Sequence, residues 1–172
     1  MELAITNELI KEISKSDSFK KWKVKHPGSF PSHLFCSLDS DYNIKDSLEV
    51  GFFDSNTKKI TVFVMKDGNV SAKDEDDVFK KENEKVEMLK QNDVKINFEK
   101  AKNILEENLK KFFPKKDIGD GFIVLQTIKG KTLWNFTFIT KTLEFVNLKI
   151  NASSGEIDSH QVVELIDKGI TK

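Results

Sequence analysis

The sequence predicts an α+β fold made of two similar units in tandem, each a helix followed by a three-stranded antiparallel meander. Three observations predict it. Apolar side chains alternate with polar ones at Trp134, Phe136 and Phe138 and again at Val146, Leu148 and Ile150, the period of two that marks a strand with one buried face. Ahead of them, Ala101, Ile104, Leu105, Leu109 and Phe112 recur at helical spacing. A shift of 86 residues then lays Trp134, Phe136 and Phe138 on Leu48, Val50 and Phe52, and Val146, Leu148 and Ile150 on Ile60, Val62 and Val64. Identity at this offset is almost nil, so the repeat is one of apolar pattern.

The first unit covers residues 1–73. Leu9, Ile10, Ile13, Phe19 and Trp22 place a helix over 3–22, and the run His33 to Leu38 supplies a first strand. Strands around 48–52 and 60–64 follow, and Gly68 turns the chain toward Val70. Residues 74–96 are dense in charge, from Asp74 to Asp77 and again at Lys80, Lys81 and Glu82. Val78, Phe79, Val86 and Leu89 give this stretch weak helical periodicity, and Gly, Pro and Ser are scarce. It is expected to be a charged helix joining the units rather than a flexible linker.

The second unit covers 97–172. Asn97 is a suitable N-cap, because its side chain can accept from free N–H groups of the first turn. Pro114 and the stretch Gly119 to Gly121 end the helix. Phe122 to Ile128 is a strand, Lys129-Gly130-Lys131 a turn, and Thr140-Lys141-Thr142 the link of a hairpin. Asp158 with Gln161 resembles a capping box, and Val162, Val163, Leu165 and Ile166 suggest a short closing helix.

The stretch from Phe98-Glu99-Lys100-Ala101 through Trp134-Asn135-Phe136-Thr137-Phe138 to Asn151-Ala152-Ser153-Ser154-Gly155-Glu156-Ile157 resembles a PepSY domain. That family has an Ala in the first turn of its helix, an aromatic opening a strand, and a closing turn of D-A-x-T-G-x-[IV] type. Asn151 stands here for the usual Asp and Ser154 for the usual Thr. In the first half only Gly68 and Val70 keep the pattern. The resemblance implies cystatin-like units, a helix on an antiparallel sheet, and a binding or inhibitory role.

Composition narrows the function classes. The chain has 172 residues, 38% apolar and 33% charged, with 14 Phe, which favours a folded chain over a disordered one. The 28 basic and 28 acidic residues cancel, so whole-chain charge makes no case for a nucleic-acid or membrane-surface partner. The single cysteine, Cys36, sits in an apolar run and reads as a buried structural thiol. No basic leader and no apolar run near the roughly 20 residues of a membrane span is visible, so the chain reads as cytoplasmic.

No phosphate-binding glycine loop, nucleophile elbow or His-Glu-x-x-His motif occurs. No catalytic, cofactor or metal residues are assigned, and the protein reads as a non-enzyme. The acidic run Asp74 to Asp77 lacks the alternating ligands of a calcium loop. Lys20-Lys21-Trp22-Lys23-Val24-Lys25-His26 mixes charge with an aromatic, yet its Trp22 reads as an anchor of the helix end. Helix, meander, helix is also the order of a double-stranded RNA-binding domain. That family needs lysines at the start of its last helix, and 158–164 has none.

The second face of each sheet is the candidate interface. With Ile60, Val62 and Val64 facing the helix, Phe53, Phe63 and Met65 point the other way, and Ile139, Phe145 and Leu125 do so in the second unit. A solvated sheet face should be mainly polar, and contiguous exposed apolar area marks an interface. Packing between units, self-association, a separate protein partner or a small-molecule groove would each use it. The function expected is a non-catalytic protein-binding or regulatory module. An RNA-binding module or a small-molecule binding protein is the alternative.

Overall fold

The computed structural model describes residues 6–74, 76–77 and 85–165. In place of one helix over 3–22, two short ones open the chain, α1 (Thr6–Lys15) and α2 (Asp17–Lys25). Ser16 separates them. Its backbone is extended (φ −67°, ψ 148°), and its hydroxyl accepts from the Phe19 N–H at 3.3 Å. A serine in that conformation is an N-cap, so it ends one helix and starts the next.

A meander follows, with β1 (Ser29–Leu38), β2 (Ile44–Asp54), β3 (Lys59–Lys66) and β4 (Asn69–Ala72). A two-residue strand, β5 (Asp76–Asp77), pairs with the start of β3. The second half begins with α3 (Phe98–Phe112), and Asn97 caps it as predicted, its Oδ1 accepting from the Lys100 N–H at 2.8 Å. Then come β6 (Ile118–Ile128), β7 (Lys131–Thr140), β8 (Glu144–Asn151) and β9 (Ile157–Glu164).

The expected tandem of helix-on-three-strand, cystatin-like units is overturned. All strands belong to one antiparallel sheet in the order β4-β3-β2-β1-β6-β7-β8-β9, with β5 off that path. β1 and β6 join the halves over six residue pairs, from His33 opposite Gln126 to Leu38 opposite Gly121. Each half supplies four strands to the continuous path of this shared sheet, and β5 pairs beside β3 as the ninth.

Two stretches expected as helices are not helical where the structure describes them. Residues 157–164 form the edge strand β9, not a closing helix. Val162 and Val163 are β-branched and favour extended backbone, and β8 offers them a free edge to pair with. The connector is irregular over 85–90, followed by a single 3₁₀ turn at Gln91–Asp93; its stretch 78–84 lies outside the described residues. Strand ends hold this segment instead of a helical ladder. The Glu87 carboxylate accepts from the N–H groups of Lys129 and Gly130, and the Leu89 N–H donates to Pro31 O at 2.9 Å.

The helices pack on one face of the sheet. Leu9, Ile13 and Phe19 of α1 and α2, with Phe98, Ala101, Leu105 and Leu109 of α3, share one core with Leu34, Val50, Phe52, Ile123, Trp134, Phe136 and Leu148. Trp134 is fully buried and its indole N–H donates to Ile96 O at 2.9 Å, which satisfies a polar atom that burial would otherwise penalise. Gly155 closes the β8–β9 turn at φ +80°, a conformation that favours glycine.

Candidate functional site

Directly paired residues of antiparallel strands project from the same face, so the register sorts every strand residue onto the helix-packed, covered face or onto the face that no described helix packs against, called uncovered below. Leu48, Val50 and Phe52 lie opposite Met65, Phe63 and Thr61. Phe63 and Met65 therefore face the helices, contrary to the expected orientation. Phe63 is fully buried, with the rings of Phe19 and Trp22 each 5.2 Å away. Leu125, opposite both Leu34 and Trp134, is covered as well.

The reversal comes from one residue of loop. Thr61 pairs with Phe52 nine positions back, whereas Val146 pairs with Phe138 eight positions back. The first hairpin is one residue longer, and a one-residue slip turns every side chain of the following strand over. Ile60, Val62 and Val64, read as inward, thus lie on the uncovered face.

Phe53, Ile139 and Phe145 lie on that face as expected. Phe53 pairs with Ile60 and Phe30, and Ile139 with Phe145, which pairs in turn with Val163. Among the described residues, every sheet residue in the helix-packed core belongs to the other face. The uncovered face has two regions. Strands β3, β2, β1 and β6 carry Ile60, Val62, Val64, Phe53, Phe35, Phe122 and Val124, all but Phe53 only half-buried. The rings of Phe35 and Phe122 meet at 5.6 Å, and those of Phe30 and Phe53 at 5.5 Å. Strands β7, β8 and β9 carry Asn135, Thr137, Asn147, Lys149, Ser159 and Gln161 instead. There the Asn147 amide donates to Asn135 Oδ1 at 2.6 Å and Thr137 Oγ1 at 2.9 Å.

His33 sits in the middle of the apolar region. It pairs with Gly51, and a Cβ at Gly51 would stand 2.1 Å from its Cε1 atom. The imidazole fills the space a side chain would take, and that close approach requires the glycine. Ser32 Oγ lies 3.0 Å from its Nδ1. Burial lowers the His33 pKa, and the nearby Glu49 carboxylate opposes this only in part. Lysines at the border are paired: Lys73 with Glu49, Lys45 with Asp120 at 2.8 Å, and Lys66 with Asp46 at 2.7 Å.

The remaining candidates are structural. Cys36 is fully buried on the covered face, and burial, with Glu49 adding to it, pushes its thiol up to about 12; such a thiol carries almost no thiolate at neutral pH. Trp22 stacks on His26 at 4.6 Å, and His26 Nδ1 lies 2.7 Å from the buried Asp54 carboxylate. Hydrogen bonds from His26 and from the Asn56 N–H hold Asp54 below the usual carboxylate range. His160 stacks on Phe112 at 3.9 Å from within β9. Among the described residues no three His, Cys, Asp or Glu side chains converge to hold a metal, and no helix is long and apolar enough to cross a membrane.

Periodicity gave no sign of an open groove of about 830 Å³ between α1 and residues 88–93. Lys11, Lys15, Lys20 and Lys90 border it above Ile10 and Leu89. Only the fold brings these two segments together.

No protein-family model matches the chain, and no curated protein matches it. The fold is similar to the crystal structure of a "putative lipoprotein" from Clostridium difficile 630, at a TM-score of 0.50 and 15% identity, over 85% of this chain and 90% of that one. At that identity the likeness concerns the fold alone.

Proposed function

We propose that this protein is a non-catalytic binding module whose working surface is the uncovered sheet face. Its target is a folded protein presenting an apolar ridge and a hydrogen-bonding rim of little net charge. The observation that carries this is the apolar region of Val62, Val64, Phe35, Phe122 and Val124 where a water-facing sheet would be polar. The neighbouring amides and hydroxyls of Asn135, Thr137, Asn147 and Gln161 fit the polar rim of such an interface. Phosphate recognition fits this face less well, because Lys45, Lys66 and Lys73 are engaged by carboxylates.

The test uses the full chain immobilised in four forms and exposed to an extract of the source cells. Val62→Glu and Phe122→Lys alter the face. Val24→Glu alters an isolated residue that is 82% exposed. Proteins retained by the wild type and V24E but lost from both face variants support the proposal. Equal retention by all four forms, with native circular dichroism, contradicts it.

A further inference from the structure

The sheet ends differently at its two edges. β4 is four residues long, and β5 pairs with β3 beside it. β9 runs for eight residues with β8 on one side, and no described strand lies on the other. A long open edge presents backbone N–H and C=O groups to any strand that can approach. Native edges are usually guarded by Lys, Pro or a bulge. Residues 157–163 contain neither Lys nor Pro, and the register shift between Lys149 and Ile150 lies at the strand's start.

A second observation falls at the same corner. Of the six large apolar side chains most exposed among the described residues, four are here: Ile139 at 41%, Leu143 at 52%, Val162 at 36% and Leu165 at 39%. Phe145 and Val163, both half-buried, share the uncovered face with Ile139, whereas Val162, paired with the core residue Val146, projects from the helix-packed face; the Leu165 N–H donates to Leu143 O at 3.2 Å. Apolar side chains on both faces of a strand with an open backbone edge are the arrangement used in strand addition.

We propose that β9 is a self-pairing edge, through which two copies of this chain join antiparallel about a two-fold axis normal to the sheet. Self-pairing restricts the register, because opposed residues must share a face. Centred on Val162, the pairing sets Val162 against Val162, Gln161 against Val163, Ser159 against Leu165, and His160 against Glu164 twice. Centred one residue earlier, it would set Asp158 against Glu164 twice, and like charges directly opposite are destabilising. The charge pattern therefore favours the Val162 register. A chain with no net charge also adds no long-range repulsion between copies. One strand pair and this corner are small beside the roughly 1,200–2,000 Å² of stable complexes, so the dimer is weak and reversible.

Sedimentation equilibrium of the full chain from roughly 1 µM to 1 mM spans weak association. A monomer–dimer equilibrium is expected, with V162K weakening it at least about tenfold, the size of a lost 1.4 kcal/mol, and Ser71→Lys on β4 leaving it unchanged. Leu165→Glu, outside the strand, serves if V162K alters the circular dichroism. In the wild type, β9 amides should gain exchange protection as concentration rises. A monomer at every concentration, or a dimer indifferent to V162K and L165E, overturns the proposal. So does β9 protection that appears only on adding an extended peptide.

Discussion

At the scale of single residues, the pairing of His33 with Gly51 is the most constrained feature of the uncovered face. The imidazole lies where a Cβ at Gly51 would be, 2.1 Å from Cε1. Gly51→Ala should cost about 1–3 kcal/mol, the usual penalty of overpacking. His33→Ala in the same chain should return much of it, and denaturant unfolding of the two single variants and the double variant measures that coupling. The same histidine makes stability depend on pH. Its folded pKa is lowered by burial, so just below the unfolded value of about 6.5 the unfolded chain binds more protons. Stability is therefore full above about pH 6.5 and falls as pH drops through the window below it. His33→Gln should remove that slope when stability is compared at a series of pH values. Asp54 and Glu144 act in a separate window. Their lowered pKa values, from His26 and Lys116 respectively, mean their contribution is lost only as pH falls below about 4.

At the scale of elements, β3 decides which apolar residues are core. Phe63→Ala should cost about 3–5 kcal/mol, as for a fully buried aromatic. Val62→Ala, on the half-buried uncovered face, should cost about 1 kcal/mol. Equal costs in chemical unfolding would reverse the assignment of faces. The sequence could not resolve this phase, because residues 60–65 are apolar on both sides apart from Thr61, and alternation needs a polar face to be read. β2, β7 and β8 were legible, since Trp134, Phe136 and Phe138 alternate with Asn135 and Thr137. The cap at Asn97 was legible because capping is local. β9 was misread because an Asp three residues before a Gln mimics a capping box, while the partner that makes it a strand, β8, is supplied by the fold. Ser16 was passed over inside an apolar helical pattern that runs on both sides of it.

At the scale of the whole molecule, the β1–β6 pairing changes what the apolar second faces can do. Separate units could have turned those faces on each other. Within one sheet they lie side by side on the same surface, from Ile60 and Val62 at one end to Phe145 and Val163 at the other. None of this could be read from an offset of 86 residues, because a repeat of pattern does not say how its copies meet. The consequence is a single extended surface opposite the helices, and the proposed binding role rests on its being open to solvent. Hydroxyl-radical footprinting of the dilute full chain, read out phenylalanine by phenylalanine, tests this most directly. Phe30, Phe35, Phe122 and Phe145 should be oxidised, and Phe63, Phe136 and Phe138 should be protected. Equal protection of both sets would mean the face is covered in the free protein, and would contradict its role as the binding surface.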